Sequence, residues 1–224
     1  MKTYSIILAG GMGLRIKASV PKCNLKLTER SILEEAISIF ENSDLVDDII
    51  VVTPEFKDEN KTYKKNLKYV LGGSTRGQSL ANAISQILDE DANLIIHDAA
   101  RPLMAPEIIQ EGLNELLNYD IVKTVEKPHN DIVCSDKIYT REQYCILSSP
   151  DFTTLSYAKR LLPLLGTHNC ITMSAFEFFS KPKISYIESN KENIKITFPE
   201  DLLLAKFYLG RQNEKGQKDF GPLF

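Results

Sequence analysis

Short apolar runs that stop at glycine or a polar loop, each followed by a segment of helical period, dominate the first half of this chain. A run without polar alternation is a strand buried on both faces, and such strands need helices to cover them. Tyr4 to Ala9 is one such run and stops at Gly10-Gly11. Asp48 to Thr53 is a second, Leu67 to Leu71 ends at Gly72-Gly73, and Asn93 to Ile96 runs into His97-Asp98. Between them, Ser31-x-x-Glu34 forms a capping box that opens a helix with Ile32, Leu33, Ala36, Ile37 and Phe40 on one face. Arg76 to Leu88 places Leu80, Ala83, Ile84, Ile87 and Leu88 at helical spacing, and Pro106 suits the first turn of a helix to about Leu117. The expected fold is α/β, a three-layer, Rossmann-like arrangement around a mostly parallel central sheet.

The second half reads differently. Lys123 to Leu147 is polar, is broken by Pro128, and alternates in short pieces, which predicts a β-arm at about 124–147 rather than core. Asp151 to Leu165 reads as helix, a layer that Ser174 to Phe179 continues. Ile184 to Glu188 reads as a strand, Asn193 to Thr197 as a short strand or loop, and Pro199 to about Leu209 as a helix. Residues 1–209 are expected to form a single domain, with a loose polar tail at 210–224.

Composition excludes several classes. The 224 residues carry 27 Lys and Arg against 30 Asp and Glu, a net charge of -3, so no electrostatic case for duplex nucleic-acid binding arises, which leaves room for local basic pockets. No apolar stretch approaches the roughly 20 residues of a membrane helix. The start, Met1-Lys2-Thr3-Tyr4, shows no cleavable signal pattern, and a cytoplasmic chain is expected. Cys23, Cys134, Cys145 and Cys170 form no C-x-x-C, and His97, His129 and His168 supply no zinc spacing, so free thiols in a reducing compartment are expected.

Four loops carry residues suited to chemistry. The first is Leu8-Ala-Gly-Gly-Met-Gly-Leu-Arg15, followed by Pro21-Lys22. Glycines after a first strand let the backbone approach a phosphate or base. Leu14-Arg15-Ile16 is not the Gly-Lys-Ser/Thr of a P-loop, and Ile16 is too bulky for the last position of a dinucleotide fingerprint. A turn that delivers Arg15 and Lys22 sets two cations beside a phosphate chain, though a glycine-rich turn with two solvated charges accounts for it equally well. The second loop, Gly72-Gly73-Ser-Thr-Arg76-Gly-Gln-Ser79, opens a helix and reads as an ordinary cap or as a base or phosphate site. The third, His97-Asp98-Ala99-Ala100-Arg101-Pro102, sets an acid at a strand end, where it suits a divalent cation, a ribose hydroxyl or a local ion pair. In the fourth, Asn193-Ile194-Lys195, the lysine points into a cleft or into water.

In this order, from Ile6 to Leu209, the four motifs resemble the alditol-phosphate cytidylyltransferases, which include the methylerythritol-phosphate and ribitol-5-phosphate enzymes. The resemblance implies a nucleotide-diphosphate-sugar transferase-like fold. It implies transfer from CTP to an alditol phosphate with Mg²⁺ or another divalent cation, giving a CDP-alditol and pyrophosphate. Arg15 and Lys22 match the pair that stabilises the pentavalent α-phosphate, and Lys195 the lysine that positions the acceptor phosphate. Leu8, Ala9, Gly10, Gly11 and Gly13, with Gly72, Gly73, Arg76 and Ser79, match the loops that hold CTP. Asp98 matches the acid near the metal and ribose, and Ala99 and Arg101 belong to the same nucleotide-binding motif. Arg141 matches an arm arginine that reaches the acceptor site of a partner subunit in a homodimer formed through the arm.

The chain departs from the methylerythritol enzymes mainly in the acceptor half. Asp131 is followed by Ile132, Ser149-Pro150-Asp151 replaces Thr-Pro-Gln, Cys170-Ile171-Thr172 replaces Thr-Asp-Glu, and Cys23 replaces the Gln after Pro-Lys. The Ile-Leu-Ala-Gly-Gly start and Asn-Ile-Lys-Ile-Thr read more like the ribitol-phosphate branch, which serves surface-polysaccharide or teichoic-acid synthesis. The alternatives are the isoprenoid-pathway methylerythritol-phosphate enzyme, a nucleotidyltransferase for another base or sugar phosphate, and a nucleotide-binding homologue that has lost its reaction.

Overall fold

The computed structural model describes residues 1–11, 13, 16, 21–55, 62–165 and 181–215, with the side chains of 164–165 and 212–215 left aside. A seven-stranded sheet runs through it in the order β3-β2-β1-β4-β8-β5-β9. The strands are β1 (Thr3–Leu8), β2 (Asp48–Thr53), β3 (Asn66–Leu71), β4 (Asn93–Asp98), β5 (Ile121–Glu126), β8 (Ile146–Thr154) and β9 (Ile184–Glu188). β1 pairs in parallel with β2 and β4, β2 with β3, and β5 with β9, while β8 runs antiparallel between β4 and β5. The mostly parallel sheet expected from the apolar runs is therefore present, with one reversed strand inside it.

Helices cover both faces. On one, α2 (Arg76–Ile84) and α4 (Leu155–Leu165) pack Leu80, Ala83, Ile84, Leu155 and Leu161 onto Ile6, Ile50, Leu94 and Ile96. On the other, α1 (Ile32–Glu41) and α3 (Glu107–Glu115) pack Leu33, Phe40, Ile108 and Ile109 onto Ile7, Val51, Ile95 and Phe152. The Ser31 box forms in both directions: Ser31 Oγ accepts the Glu34 N–H at 3.3 Å, and Glu34 accepts the Ser31 N–H at 2.6 Å. The last helix, α5 (Pro199–Lys215), contributes Ala205 to a smaller cluster with Ile16, Leu27, Ile32, Leu103 and Ile196.

Four boundaries differ from the sequence reading. Lys123 to Glu126 is not arm: it belongs to β5, where Lys123 and Thr124 are buried. The excursion itself is the exposed hairpin of β6 (Ile132–Cys134) and β7 (Lys137–Tyr139). Asp151 to Thr154 is strand, not helix, because Phe152 and Thr153 are paired on both sides by Leu94, Ile95, Ile121 and Val122, and α4 begins only at Leu155. The end helix continues past Leu209 to Lys215, so the first part of the expected loose tail is helical. α2 stops at Ile84, four residues early, with Ile87 still tucked into the core and Leu88 fully in solvent. The helix expected at Ser174 to Phe179 lies outside the described residues.

Candidate functional site

The carboxyl ends of β1, β2, β3 and β4 and the loops that follow them enclose a cavity of about 450 Å³. Leu8, Gly10, Gly11, Lys22, Gly72, Gly73, Arg76, Ser79, Asp98 and Lys195 line it, joined by Cys23, Val52, Pro54, Ser74, Thr75 and Ala100. All four motifs singled out in the sequence thus meet at one place, because parallel strands deliver the loops that follow them to one edge.

Each wall has a local cause. Ala9 donates its N–H to Val52 at 2.8 Å and so extends the β1–β2 ladder one residue, which frees Gly10 and Gly11 to face the cavity. Among the described residues a Cβ added at either glycine would meet nothing within 4 Å, which leaves room for a ligand in front of this backbone. Gly13 has φ +65, and a Cβ there would lie 2.5 Å from Lys22 Cβ; the turn can pass over Lys22 only as glycine. Lys22 opens a 3-10 turn, Lys22–Asn24, after Pro21. It is 9% exposed, and its ammonium donates to the Ile196 carbonyl at 2.8 Å.

The second wall starts where Gly72 donates to the Thr53 carbonyl at 2.8 Å. Gly73 then donates to Ser79 Oγ at 3.0 Å, Ser74 to Gln78 Oε1 at 3.0 Å, and Thr75 caps α2 by accepting from Gln78 N–H. Ser79 therefore holds the loop with its oxygen and keeps its proton to offer a ligand. Arg76, at the first turn of α2, reaches Asp98.

Asp98 is the electrostatic centre. Arg76 Nη2 donates to Oδ1 at 3.1 Å and Lys195 Nζ to Oδ2 at 2.7 Å, so each carboxylate oxygen has its own cation. Burial pushes the Asp98 carboxyl up, but Arg76 and Lys195 outweigh it and hold it well below the usual carboxylate range. Beneath, His97 is wholly buried; its ring donates from Nε2 to the Arg101 carbonyl at 2.9 Å. That leaves Nδ1 to accept from the Ser149 hydroxyl at 3.1 Å, and Ser149 Oγ in turn accepts the Asp98 N–H at 3.3 Å. Burial lowers the imidazole to about 4, so His97 is neutral and acts as a brace for Asp98.

Asn193 explains how Lys195 is aimed. Its buried side-chain amide donates to the Ser149 carbonyl and Ser189 Oγ, both at 2.8 Å, and the Asn193 main-chain carbonyl accepts from Arg101 at 2.6 Å. Ile196 is tied to the Ala100 carbonyl at 2.8 Å. The loop is pinned on both sides of Lys195, and the same loop supplies the carbonyl that holds Lys22.

Several expected residues sit elsewhere. Ala99 is fully buried in the core, and Arg101, expected at the nucleotide, is turned away, bonded to Glu126 at 2.7 Å and to Asn193. Ala9 is core and does not line the cavity, and Gly13 acts through Lys22. Arg141 is exposed in the arm, its N–H on Asp131 at 3.0 Å and its Nε on Glu142 at 3.0 Å, far in sequence from every lining residue. Arg15 lies outside the described residues. Sequence reasoning missed the buried supports Asn193 and Ser149; the Asn-Ile-Lys motif carried a signal for the first, and nothing did for the second.

Among the described residues no three His, Cys, Asp or Glu gather as a metal cage. A single carboxylate beside cationic side chains fits a cation shared with a polyphosphate, since Mg²⁺ commonly binds one or two carboxylates plus substrate phosphates. No described helix is long and apolar enough to cross a membrane.

Known proteins resemble this chain over most of its length. A family model described as 2-C-methyl-D-erythritol 4-phosphate cytidylyltransferase (IspD) matches residues 3–159. The 2-C-methyl-D-erythritol 4-phosphate cytidylyltransferase of Actinobacillus pleuropneumoniae serotype 7 is 32% identical, covering 96% of this chain and 99% of that protein. The bifunctional ribulose 5-phosphate reductase/CDP-ribitol pyrophosphorylase Bcs1 of Haemophilus influenzae is 30% identical over 91% of this chain, which spans 47% of the length of that relative. Among solved structures, the Francisella tularensis 2-C-methyl-D-erythritol 4-phosphate cytidylyltransferase superposes with a TM-score of 0.77 at 25% identity, over 92% of this chain and 99% of that one.

Proposed function

This chain belongs to the 2-C-methyl-D-erythritol 4-phosphate cytidylyltransferase family, whose members are CTP-dependent cytidylyltransferases, and we propose that its acceptor is an alditol phosphate of the ribitol 5-phosphate kind. The observation that carries the reading is the cavity itself. Glycine backbone and Lys22 line it, and Arg76 and Lys195 meet there on one carboxylate, that of Asp98. That is a site for a nucleoside triphosphate and a second phosphate.

In the proposed reaction a phosphate oxygen of the alditol phosphate attacks the α-phosphorus of CTP. The new O–P bond forms as the α–β bridging bond breaks, and pyrophosphate leaves with that electron pair. The nucleophile is already an anion, so no general base is needed, and a neutral buried His97 fits that economy. What the chain supplies is position and opposite charge. Lys22 stands on the Gly10–Gly11 side and meets the charge developing on the α-phosphate, a task Arg15 shares on the strength of its motif. Arg76 takes the triphosphate, and Lys195, on the other oxygen of Asp98, takes the acceptor phosphate. Asp98 would hold the divalent cation, which when bound neutralises the triphosphate oxygens.

The ribitol preference rests on the Ile-Leu-Ala-Gly-Gly and Asn-Ile-Lys-Ile-Thr segments and on the name of the Haemophilus relative. A second reading, with methylerythritol 4-phosphate as acceptor, is favoured by the names of the family and of the Actinobacillus relative. The exposed hairpin also fits a homodimer: Val133 and Ile138 are 72% and 71% exposed, an apolar pair suited to a second copy of the chain. Arg141 would then serve the partner's acceptor site.

Pyrophosphate release with Mg²⁺ and CTP tests the reading against ribitol 5-phosphate, methylerythritol 4-phosphate and glycerol phosphates. Turnover with ribitol 5-phosphate is expected. Turnover with methylerythritol 4-phosphate alone replaces the acceptor, and CTP binding without release from any acceptor replaces the enzyme with a binding protein.

A further inference from the structure

A charged pair stands on the far side of Asp98 from the nucleotide cavity. Lys123 on β5 and Asp151 on β8 are opposite one another in the ladder, and Lys123 Nζ lies 3.3 Å from each Asp151 oxygen. Asp151 also faces Ile96 on β4, two residues before Asp98. Cross-strand partners, and residues two apart on a strand, share a face, so Asp151 and Asp98 lie on one face of the sheet. The cavity occupies the β1–β2–β3 side of Asp98, and β8 and β5 are the next strands on the other side. Neither residue lines that cavity, but a second substrate that reached Lys195 and Asp98 from that side would approach this pair.

Core filling does not account for two charges here. Ile96, Ile121 and Leu155 on the same face are fully buried and apolar, and replacing a buried ion pair by well-packed apolar residues is often neutral or stabilising. The pair is also unevenly covered: 2% of the Lys123 side chain is exposed, against 8% of the Asp151 side chain. Both side chains are buried, and the carboxylate keeps slightly more contact with solvent than the lysine. A carboxylate has about four acceptor sites, and the single ammonium shared between both oxygens leaves some of them to spare. The two residues before Asp151 are held, Pro150 by Thr124 Oγ1 on its carbonyl at 2.6 Å and Ser149 by Asn193 on its carbonyl at 2.8 Å.

We infer that Asp151, charge-balanced by Lys123, selects the acceptor by taking a hydrogen bond from one of its hydroxyl groups. This rests on the cytidylyltransferase reading above. It assigns a polyol-sensing role to a strand position that does not line the nucleotide cavity.

The test compares wild-type protein, Asp151→Asn and the paired variant Lys123→Met/Asp151→Leu. Each is assayed with CTP against ribitol 5-phosphate and glycerol 3-phosphate, with thermal melts to establish folding. A hydrogen bond to a charged group corresponds to about tenfold or more in kcat/KM. Both variants should lower the preference for the longer polyol by about that factor, through the acceptor KM, and leave the KM for CTP unchanged. A folded paired variant that keeps the wild-type preference overturns the inference, as does an equal loss for CTP and both acceptors, which marks a purely structural pair. A wild-type protein inactive with every alditol phosphate overturns the underlying reading and this one with it, whereas an active wild type with unaltered variants overturns this one alone.

Discussion

Lys195 Nζ lies 2.7 Å from Asp98 Oδ2, and Arg76 occupies the other oxygen of the same carboxylate at 3.1 Å. With both oxygens engaged by cations, Asp98 has little attraction left for a metal ion. A triphosphate that draws off Arg76, and an acceptor phosphate that draws off Lys195, each release one oxygen. Metal uptake should therefore follow nucleotide. By electron paramagnetic resonance, Mn²⁺ added to the protein alone should stay free, and CTP should bring it to the protein beyond what CTP binds by itself. Asp98→Asn should abolish that excess, and Lys195→Met should let some Mn²⁺ bind without nucleotide. Equal Mn²⁺ binding with and without CTP in the wild type would contradict the coupling.

Lys22 is fixed before any ligand arrives, by the Ile196 carbonyl at 2.8 Å and by the glycine turn above it. Preorganised charge acts where charge develops, so its removal should fall on the chemical step. Lys22→Ala should lower kcat by about a hundredfold or more while the KM for CTP changes only a few-fold. Gly13→Ala, whose Cβ would press on Lys22 Cβ at 2.5 Å, should show a weaker form of the same kinetic pattern. Steady-state pyrophosphate release reads both, and an unimpaired kcat in Lys22→Ala would remove Lys22 from the mechanism.

Gly112 separates packing from function. Alanine normally favours a helix over glycine by about 1 kcal/mol. Here a Cβ would lie 2.2 Å from the ring of Phe152, the fully buried centre of the β8 ladder. Overpacking a filled core costs about 1–3 kcal/mol, so the clash wins. Gly112→Ala should lower the unfolding midpoint in urea and leave the KM for CTP as it is. A variant as stable as the wild type would show that Phe152 can move.

Local rules made much of this legible. The Ser31–Glu34 box and the glycine stops at Gly10 and Gly72 are written in a few neighbouring residues, and parallel pairing then brings their loops to one edge. What local pattern does not carry is pairing across distance. Asp151 to Thr154 joins directly onto a helix of clear period, and only the strands on either side of it make it β. Lys123 reads as solvent-facing until its partner 28 residues away is seen. Arg101 sits in a ligand-binding motif but is used to brace Asn193, a contact 92 residues long in sequence. The residues that touch a ligand could be read; those that hold them in place mostly could not.

His97 gives the brace a pH signature. Burial is the main cause of its lowered value, about 4 against 6.5 when free, and the hydrogen bond to the Arg101 carbonyl offsets it only in part. As pH falls below 6.5 the unfolded chain takes up a proton on this ring and the folded chain does not. The stability His97 contributes is thus fully present above about 6.5 and is lost as pH falls towards about 4. Between pH 7 and pH 5 the loss amounts to about 2 kcal/mol. Asp98, held far below the usual carboxylate range, titrates at lower pH and does not share this window. Urea unfolding of metal-free protein at the two pH values should show the loss in the wild type. His97→Asn, which has no proton to take up there, should be less stable at pH 7 yet show a much smaller change between the two. An equal change in both proteins would mean that the ring is not what the folded chain keeps neutral.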